Sequence, residues 1–357
     1  MPGVGQATGN KRYVTLDAMR GIAAIAVVMR HFGQTFHGWE PDSYLAVDLF
    51  FVLSGFVLSL SYDRLFRSGM NPMTFMRLRL VRLLPLSMVG AALGLASQII
   101  ASPTNLTPPQ SILSTLLTAI SVPTPPLASS RILFPFNTAF WSLFFELWVA
   151  NVLFAMFWRW IKGPILGLVI FVSAVGLLFW QRQTHVMDVG WGWDTVLGGF
   201  PRVIFSFFAG VAIRRMGADR LYQPQIPSSI CICMLAFILI APISGVAGNF
   251  IRLLYILILF PCLVYLGAGA NDSRTGIGTF LGDVSYGVYT IHFPLIIILA
   301  WATRVPTTST GPIDPFKFFT LECGFLACIV VLASVLDAKF DRPVRRALMS
   351  LMTRGQT

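Results

Sequence analysis

The chain has 357 residues, 26 Lys and Arg against 15 Asp and Glu, and only 11% charged residues, where soluble proteins average about 25%. Hydrophobic residues make up 55% and the mean hydropathy is +0.73; a soluble globule has no way to hide that much apolar surface, so a disordered chain, a disulfide scaffold and an ordinary cytosolic enzyme are excluded and an integral membrane protein is left. The net charge of +11 is carried by 22 Arg and 4 Lys gathered in short loops between apolar runs, the pattern of the positive-inside rule rather than of nucleic-acid binding.

Residues 1–15 form a polar N-terminal tail without the apolar core and small-residue cleavage site of a secretory signal, so the first apolar helix is expected to act as a retained signal-anchor. A crossing helix needs about 17–25 largely apolar residues. Ten stretches qualify: 16–36, 44–62, 84–101, 138–158, 164–180, 197–213, 228–244, 250–267, 285–303 and 316–336. The apolar stretch 110–122 is short and flanked by prolines, so it is expected to be interfacial or re-entrant. The outer segment 102–137 around it, rich in Pro, Ser and Thr, is expected to cap the outer mouth. The fold class predicted is an all-α bundle of about ten transmembrane helices, with 16–336 as one membrane domain and 337–357 as a basic cytoplasmic tail.

Charge supports this count. With the N-terminus inside, the cytoplasmic segments hold Lys11, Arg12, Arg64, Arg67, Arg77, Arg79, Arg82, Arg159, Lys162, Arg214, Arg215, Arg220, Arg274, Lys339, Arg342, Arg345, Arg346 and Arg354. The outer segments hold only Arg131, Arg182, Arg304 and Lys317. An extra crossing at 110–122 would invert every later loop and put most of this charge outside, so both termini are predicted cytoplasmic. The five cysteines lie in apolar runs and read as small buried hydrophobes. The four histidines (His31, His37, His185, His292) show no ligand spacing, so no metal is expected.

Ionisable groups inside crossings are costly and tend to mark function. Here they are Asp17, Arg20, Arg30, His31, Asp48, Glu146, Arg202, Arg252, His292 and Glu322. Arg20 and His31 are eleven residues apart, about 1100° of helical rotation, which puts both on one face with a rise of about 16 Å between them. Asp17 stands three residues before Arg20 and can pair with it. A neutral imidazole can take a proton from a hydroxyl and return it to a leaving group, and a guanidinium can hold an anion or stabilise one as it forms. A lone histidine packed in a bundle is the commoner case; the stripe is what argues for function. Arg30 lies about 80° around the helix from Arg20 and has no assigned role.

A second cluster, Phe75-Met-Arg77-Leu-Arg79-Leu-Val-Arg82-Leu-Leu-Pro85, enters the third crossing from the cytoplasmic side. Its arginines can grip phosphates or serve only as topology determinants beside lipid headgroups. A third set is drawn from several crossings: Asp48 to Phe56 including Ser54, Trp141-Ser142-Leu-Phe-Phe-Glu146, and Ser285-Tyr286-Gly-Val-Tyr289-Thr-Ile-His292-Phe-Pro294. Glu146 is the lone acid of its crossing and must pair with a base or line a wet cavity. Gly55 can serve close helix approach, Pro294 a kink, and Trp141 an interfacial anchor.

Taken together, these motifs resemble the acyltransferase-3 family, ten-span membrane enzymes that acylate sugars, often O-acetylating bacterial surface polysaccharides. The run Leu16 to Phe32 is similar to its opening signature, with Arg, ten residues, then His falling on Arg20 and His31. Its second span is similar to the run Asp48 to Phe56, its R-x-x-R falls on Arg79 and Arg82, its Trp-Ser-Leu-x-x-Glu on Trp141 to Glu146, and its late Ser-Tyr-x-x-Tyr-x-x-His-x-Pro on Ser285 to Pro294. The five matches keep the family order; Phe145 and Leu147 depart from it, since many members are more polar around this glutamate.

The resemblance implies an acyl-CoA co-substrate, with acetyl as the default, no bound cofactor, and a glycan or lipid-linked sugar as acceptor at the outer side of a bacterial cytoplasmic (inner) membrane. Arg77, Arg79 and Arg82 would hold the CoA phosphates, and His31, Arg20 and Glu146 would be the catalytic group. His31 would act as base or acyl carrier, and Glu146 would orient it or supply a second acid-base group. Asp17, Asp48, Ser54, Trp141, Tyr286 and His292 would line the path. Three rivals remain at this stage: a proton-coupled transporter, an acyltransferase acting on a lipid or small glycoside, and a non-catalytic scaffold. Oligomeric state is not legible.

Overall fold

The computed structural model describes residues 12–101, 107–126, 131–217, 226–241, 243, 246–270, 276–304 and 314–354. Lys11, Arg220 and Arg274, most of the 1–15 tail, the end of the 228–244 stretch and parts of 102–137 lie outside the described residues. The elements in chain order are α1 (Val14–Phe36), α2 (Ala46–Arg67), α3 (Pro72–Ala101), the short α4 (Pro108–Ala119), α5 (Phe140–Phe157), α6 (Gly163–Thr184), α7 (Val196–Arg215) and α8 (Ser228–Ile240). Then come α9 (Val246–Leu254, a π turn at Tyr255–Leu259, Phe260–Gly269), α10 (Gly276–Ala302) and α11 (Pro315–Leu336). A π turn at Asp337–Asp341 joins α11 to α12 (Arg342–Arg354).

Among the described residues eight helices are long and apolar enough to cross a membrane: α2, α3, α5, α6, α7, α9, α10 and α11. The other two expected crossings are helical but fall outside that set. The 23 residues of α1 include Asp17, Arg20, Arg30 and His31. The 13 residues of α8 rise only about 20 Å against a hydrocarbon core of about 30 Å. The outward side of α6 presents Ile165, Leu168, Phe171, Val172, Val175 and Phe179, an apolar surface suited to lipid. Cys231 is buried as expected, whereas Cys233, Cys262, Cys323 and Cys328 lie on the outer surface of the bundle.

α1 packs along α10 and α2 along α7, and these two pairs form the centre of the bundle. Backbone contact sets the second crossing. A Cβ built on Gly55 would strike the Phe207 carbonyl, and one on Gly210 the Val52 carbonyl, the use of small residues by which membrane helices approach closely. Gly55→Val is therefore expected to force α2 and α7 apart and cost about 1–3 kcal/mol. The check is the thermal unfolding midpoint of the solubilised protein, and an unchanged midpoint contradicts the packing argument.

Arg12 and Arg342, near the two ends of the described chain, both pair with Asp283, at 2.6 and 3.5 Å, so those ends meet at one end of the bundle. At the other end the stretch around Leu133 zips onto the 186–195 loop. Leu133 N donates to Trp191 O (3.0 Å), Trp193 N to Arg131 O (2.8 Å), and the Trp193 indole to Thr124 O (3.1 Å). The 12 residues of α4 rise only about 18 Å. α4 packs on α3, the Trp148 indole donates to Ile120 O at its end (2.9 Å), and the chain turns back through Ser121 in the left-handed region.

Candidate functional site

A cavity of about 1080 Å³ opens at the end of the bundle where the two chain ends meet. α1 contributes Asp17 and Arg20 to its wall, α2 Phe50 and Ser54, α3 Arg79 and Arg82, α5 Ser142 and Glu146, α10 Tyr286 and Tyr289, and α12 Arg345 and Arg346. This lies at the upper end of the roughly 300–1,000 Å³ of ordinary ligand pockets, so the space suits a large ligand.

Two acids organise the lower wall. Asp17 accepts from Arg20 (3.2 Å) and from Arg12 (2.6 Å), so the pairing expected from the three-residue spacing is present. Glu146 sits in a π turn, Phe145–Ala150, where the extra residue per turn re-aims side chains. Its Oε1 accepts from Arg79 Nη2 (2.9 Å) and from Ser54 Oγ (2.7 Å). The charge of Glu146 is thus matched by Arg79. Arg82 lies within electrostatic reach of both Arg20 and Arg79 and forms no ion pair among the described residues. Asp341 also lies within electrostatic reach of Arg82, but the lining as a whole holds seven guanidinium groups against five carboxylates, which favours an anion in the cavity.

His31 stands beyond the cavity, on α1 beside α10. Its Nδ1 is 2.9 Å from His292 Nε2. His292 Nδ1 faces the carbonyls of Tyr289 (2.8 Å) and Val288 (3.2 Å). Carbonyls only accept, so His292 Nδ1 carries the proton and its Nε2 is an acceptor in the neutral ring. His31 Nδ1–H then donates to it, and His31 Nε2 keeps its lone pair. His31 is partly exposed while His292 is fully buried. Tyr289 links this pair to the cavity: its ring is 5.7 Å from that of His292 and meets Phe50 edge to face at 5.6 Å.

The helix around His292 is held from outside. Pro294 lacks an N–H, which leaves Thr290 O without its helical donor. Asn137 Nδ2 supplies the bond at 2.9 Å. Asn137 escaped sequence reasoning; the unfilled carbonyl four residues before Pro294 was the signal that a donor must exist. Asp188 escaped it too, and is the partner of Arg30 at 2.9 Å.

The other sequence-predicted residues divide clearly. Asp17, Ser54 and Tyr286 line the cavity, and the Tyr286 hydroxyl donates to Leu83 O (2.8 Å). Asp48, Trp141 and His292 are not among its lining residues. Asp48 is fully buried against Arg202, Trp141 packs on that same guanidinium at 5.2 Å, and His292 is engaged by His31. Arg77 lies exposed on α3, away from the cavity. The orientation of His31 expected from Glu146 comes from His292 instead, since Glu146 is occupied by Arg79 and Ser54. Among the described residues no group of three His, Cys, Asp or Glu is arranged to hold a metal ion.

A Rhizobium radiobacter protein described as "Protein 2 in picA locus" is 38% identical over 187 residues, covering 47% of this chain and 94% of the relative. No solved structure matches the chain. The acyltransferase domain of the acyltransferase-3 family matches residues 13–336, from the start of α1 to the end of α11. That span takes in Arg79, Arg82, Glu146 and the His31–His292 pair, and the chain belongs to the acyltransferase-3 family and is a membrane acyltransferase.

Proposed function

We propose that the protein moves an acyl group, acetyl by default, from cytoplasmic acyl-CoA to a hydroxyl of a sugar in a surface or exported glycan, working in the bacterial inner membrane. In this reading the ten helical stretches cross the bilayer with both termini cytoplasmic, and the cavity opens to the cytoplasm. The observation that carries the reading is the cavity itself: it is large, lined by Arg20, Arg79 and Arg82, and Tyr289 in its wall stands against His292 of the histidine pair. A CoA thioester suits these features, with phosphates at one end for the arginines and a reactive acyl group at the end of a thin arm.

The chemistry follows from the tautomers. The acceptor hydroxyl gives its proton to His31 Nε2 as its oxygen bonds to the thioester carbonyl carbon. The tetrahedral intermediate then breaks its C–S bond, and the departing thiolate takes that proton, leaving O-acylated acceptor and free CoA. As His31 becomes an imidazolium its Nδ1–H bond to His292 Nε2 becomes charge-assisted and strengthens. His31 and His292 are neutral partners before the transfer, so the charge appears where an acceptor is already aimed.

The direct test is acceptor-dependent release of free CoA from acetyl-CoA by membrane vesicles, with candidate glycans supplied. Arg20→Ala is expected to remove release while the protein stays in the membrane. Full release by that variant would overturn the role of Arg20, and no release from acetyl-, succinyl- or longer acyl-CoA with any acceptor would overturn the donor assignment.

A further inference from the structure

The family match ends at residue 336, but the polypeptide around the cavity does not. The π turn Asp337–Asp341 and α12 continue directly from α11, and α12 packs against α3. The stretch expected from sequence as a basic tail is therefore, over 337–354, a structured wall of the cavity. Arg342, Arg345, Arg346 and Met349 line it, at the i, i+3, i+4, i+7 spacing of one helical face.

Most of the charge on that wall is already matched. Arg342 pairs with Asp337 (2.6 Å) and Asp283 (3.5 Å), and Arg345 pairs with Asp341 (2.7 Å) and Asp337 (3.4 Å). This ladder fixes α12 in place. Arg346 is different: among the described residues it forms no ion pair and no hydrogen bond, and neither does Arg82, which lines the same mouth from α3. The buried Nε atoms of Arg79 and Arg345 are likewise donors without partners. Asp341 lies within electrostatic reach of Arg82, yet seven arginines face five carboxylates around this opening, and a phosphate answers the excess through paired, charge-assisted hydrogen bonds.

We propose that α12 completes the donor site, with Arg346 and Arg82 holding the phosphates at the nucleotide end of the CoA thioester and the Arg342–Arg345 ladder positioning the helix. The proposal rests on the acyl-CoA reading above. It assigns a donor contact to a segment outside the family domain.

The test uses the full chain in phosphatidylcholine nanodiscs and compares acetyl-CoA with S-acetylpantetheine, which has the thioester arm but no nucleotide. Arg346→Ala is expected to weaken acetyl-CoA binding about tenfold, with Arg346→Lys recovering part of it, while binding of S-acetylpantetheine, which lacks the phosphates assigned to Arg346, keeps its wild-type affinity. Wild-type affinity for acetyl-CoA in Arg346→Ala overturns the role of α12 and leaves the donor reading standing. An equal loss toward S-acetylpantetheine overturns it as well, because the defect is then not at the nucleotide. A defect confined to discs containing phosphatidylglycerol assigns Arg346 to lipid headgroups and also overturns it. Wild-type protein that binds no acetyl-CoA overturns the donor reading and this proposal together.

Discussion

His31→Ala is expected to lower acyl transfer by about 10²–10⁴-fold, the range over which a positioned general acid–base group acts, with the protein still folded and in the membrane. His292 is fixed by two carbonyls on its own helix, at 2.8 and 3.2 Å, and so presents Nε2 as an acceptor to His31 Nδ1 at 2.9 Å. Without that acceptor His31 is free to protonate at either nitrogen and to rotate, and part of the population presents an N–H where the lone pair is needed. His292→Ala is therefore expected to cost about 10–100-fold, the range seen when a partner that orients a functional histidine is removed. His292→Gln keeps an acceptor near the position of Nε2 and is expected to restore part of the rate. The two substitutions at His292 separate positioning from packing: both remove the ring, but only Gln retains an acceptor. If Gln and Ala lose activity equally, His292 serves as filler, and if His31→Ala keeps wild-type transfer, the base is another group.

The sequence was readable where the code is local. The length and apolarity of the helical stretches, the Asp17–Arg20 pair and the common face of Arg20 and His31 all follow from spacing along one helix. The partners of the buried charges were not readable, because they come from distant parts of the chain. His31 meets His292 across 261 positions, Glu146 meets Arg79 across 67, and Asp48 meets Arg202 across 154. Each of these residues could be seen to need a partner, since an unpaired charge in a bundle is expensive, but several partners were on offer for each. The motif order of the family narrowed the list without resolving it: Asp48, Trp141 and His292 belong to the shared motifs, yet they build the structure around the cavity rather than its wall. The helix after residue 336 was hidden for another reason. Its charge density reads as a solvated tail until the acidic π turn before it is seen to pair with it.

Arg202→Ala is expected to destabilise the protein by about 3–5 kcal/mol, the cost of leaving a buried charge without its counter-charge. Both side chains of the pair are fully buried, with Arg202 Nη2 at 2.6 Å from Asp48 Oδ2 and Nε at 3.2 Å from Oδ1. The guanidinium also donates to Val189 O at 2.7 Å and lies over the Trp141 ring at 5.2 Å. One side chain on α7 thereby ties together α2, α5 and the loop that carries Asp188 and Val189. Exposed pairs such as Arg131–Asp194 on the same loop contribute only about 0–1 kcal/mol, so Arg131→Ala serves as the control. The loop is also held by Arg30, the neighbour of His31, through Asp188. Loosening it at Val189 therefore removes one of the arginine ties on the loop that Arg30, the neighbour of His31, also holds, and transfer should fall along with stability. Replacing both partners, as in Asp48→Leu with Arg202→Met, leaves no stranded charge and is expected to recover most of the thermal stability. It does not restore the bond to Val189 O, so activity should recover less than stability does. The measurement is the unfolding midpoint of solubilised protein beside the transfer rate in vesicles. An Arg202→Ala variant as stable as the Arg131→Ala control would remove this pair from its structural role, and a double variant recovering both quantities equally would show that the tie to the loop does not matter to the reaction.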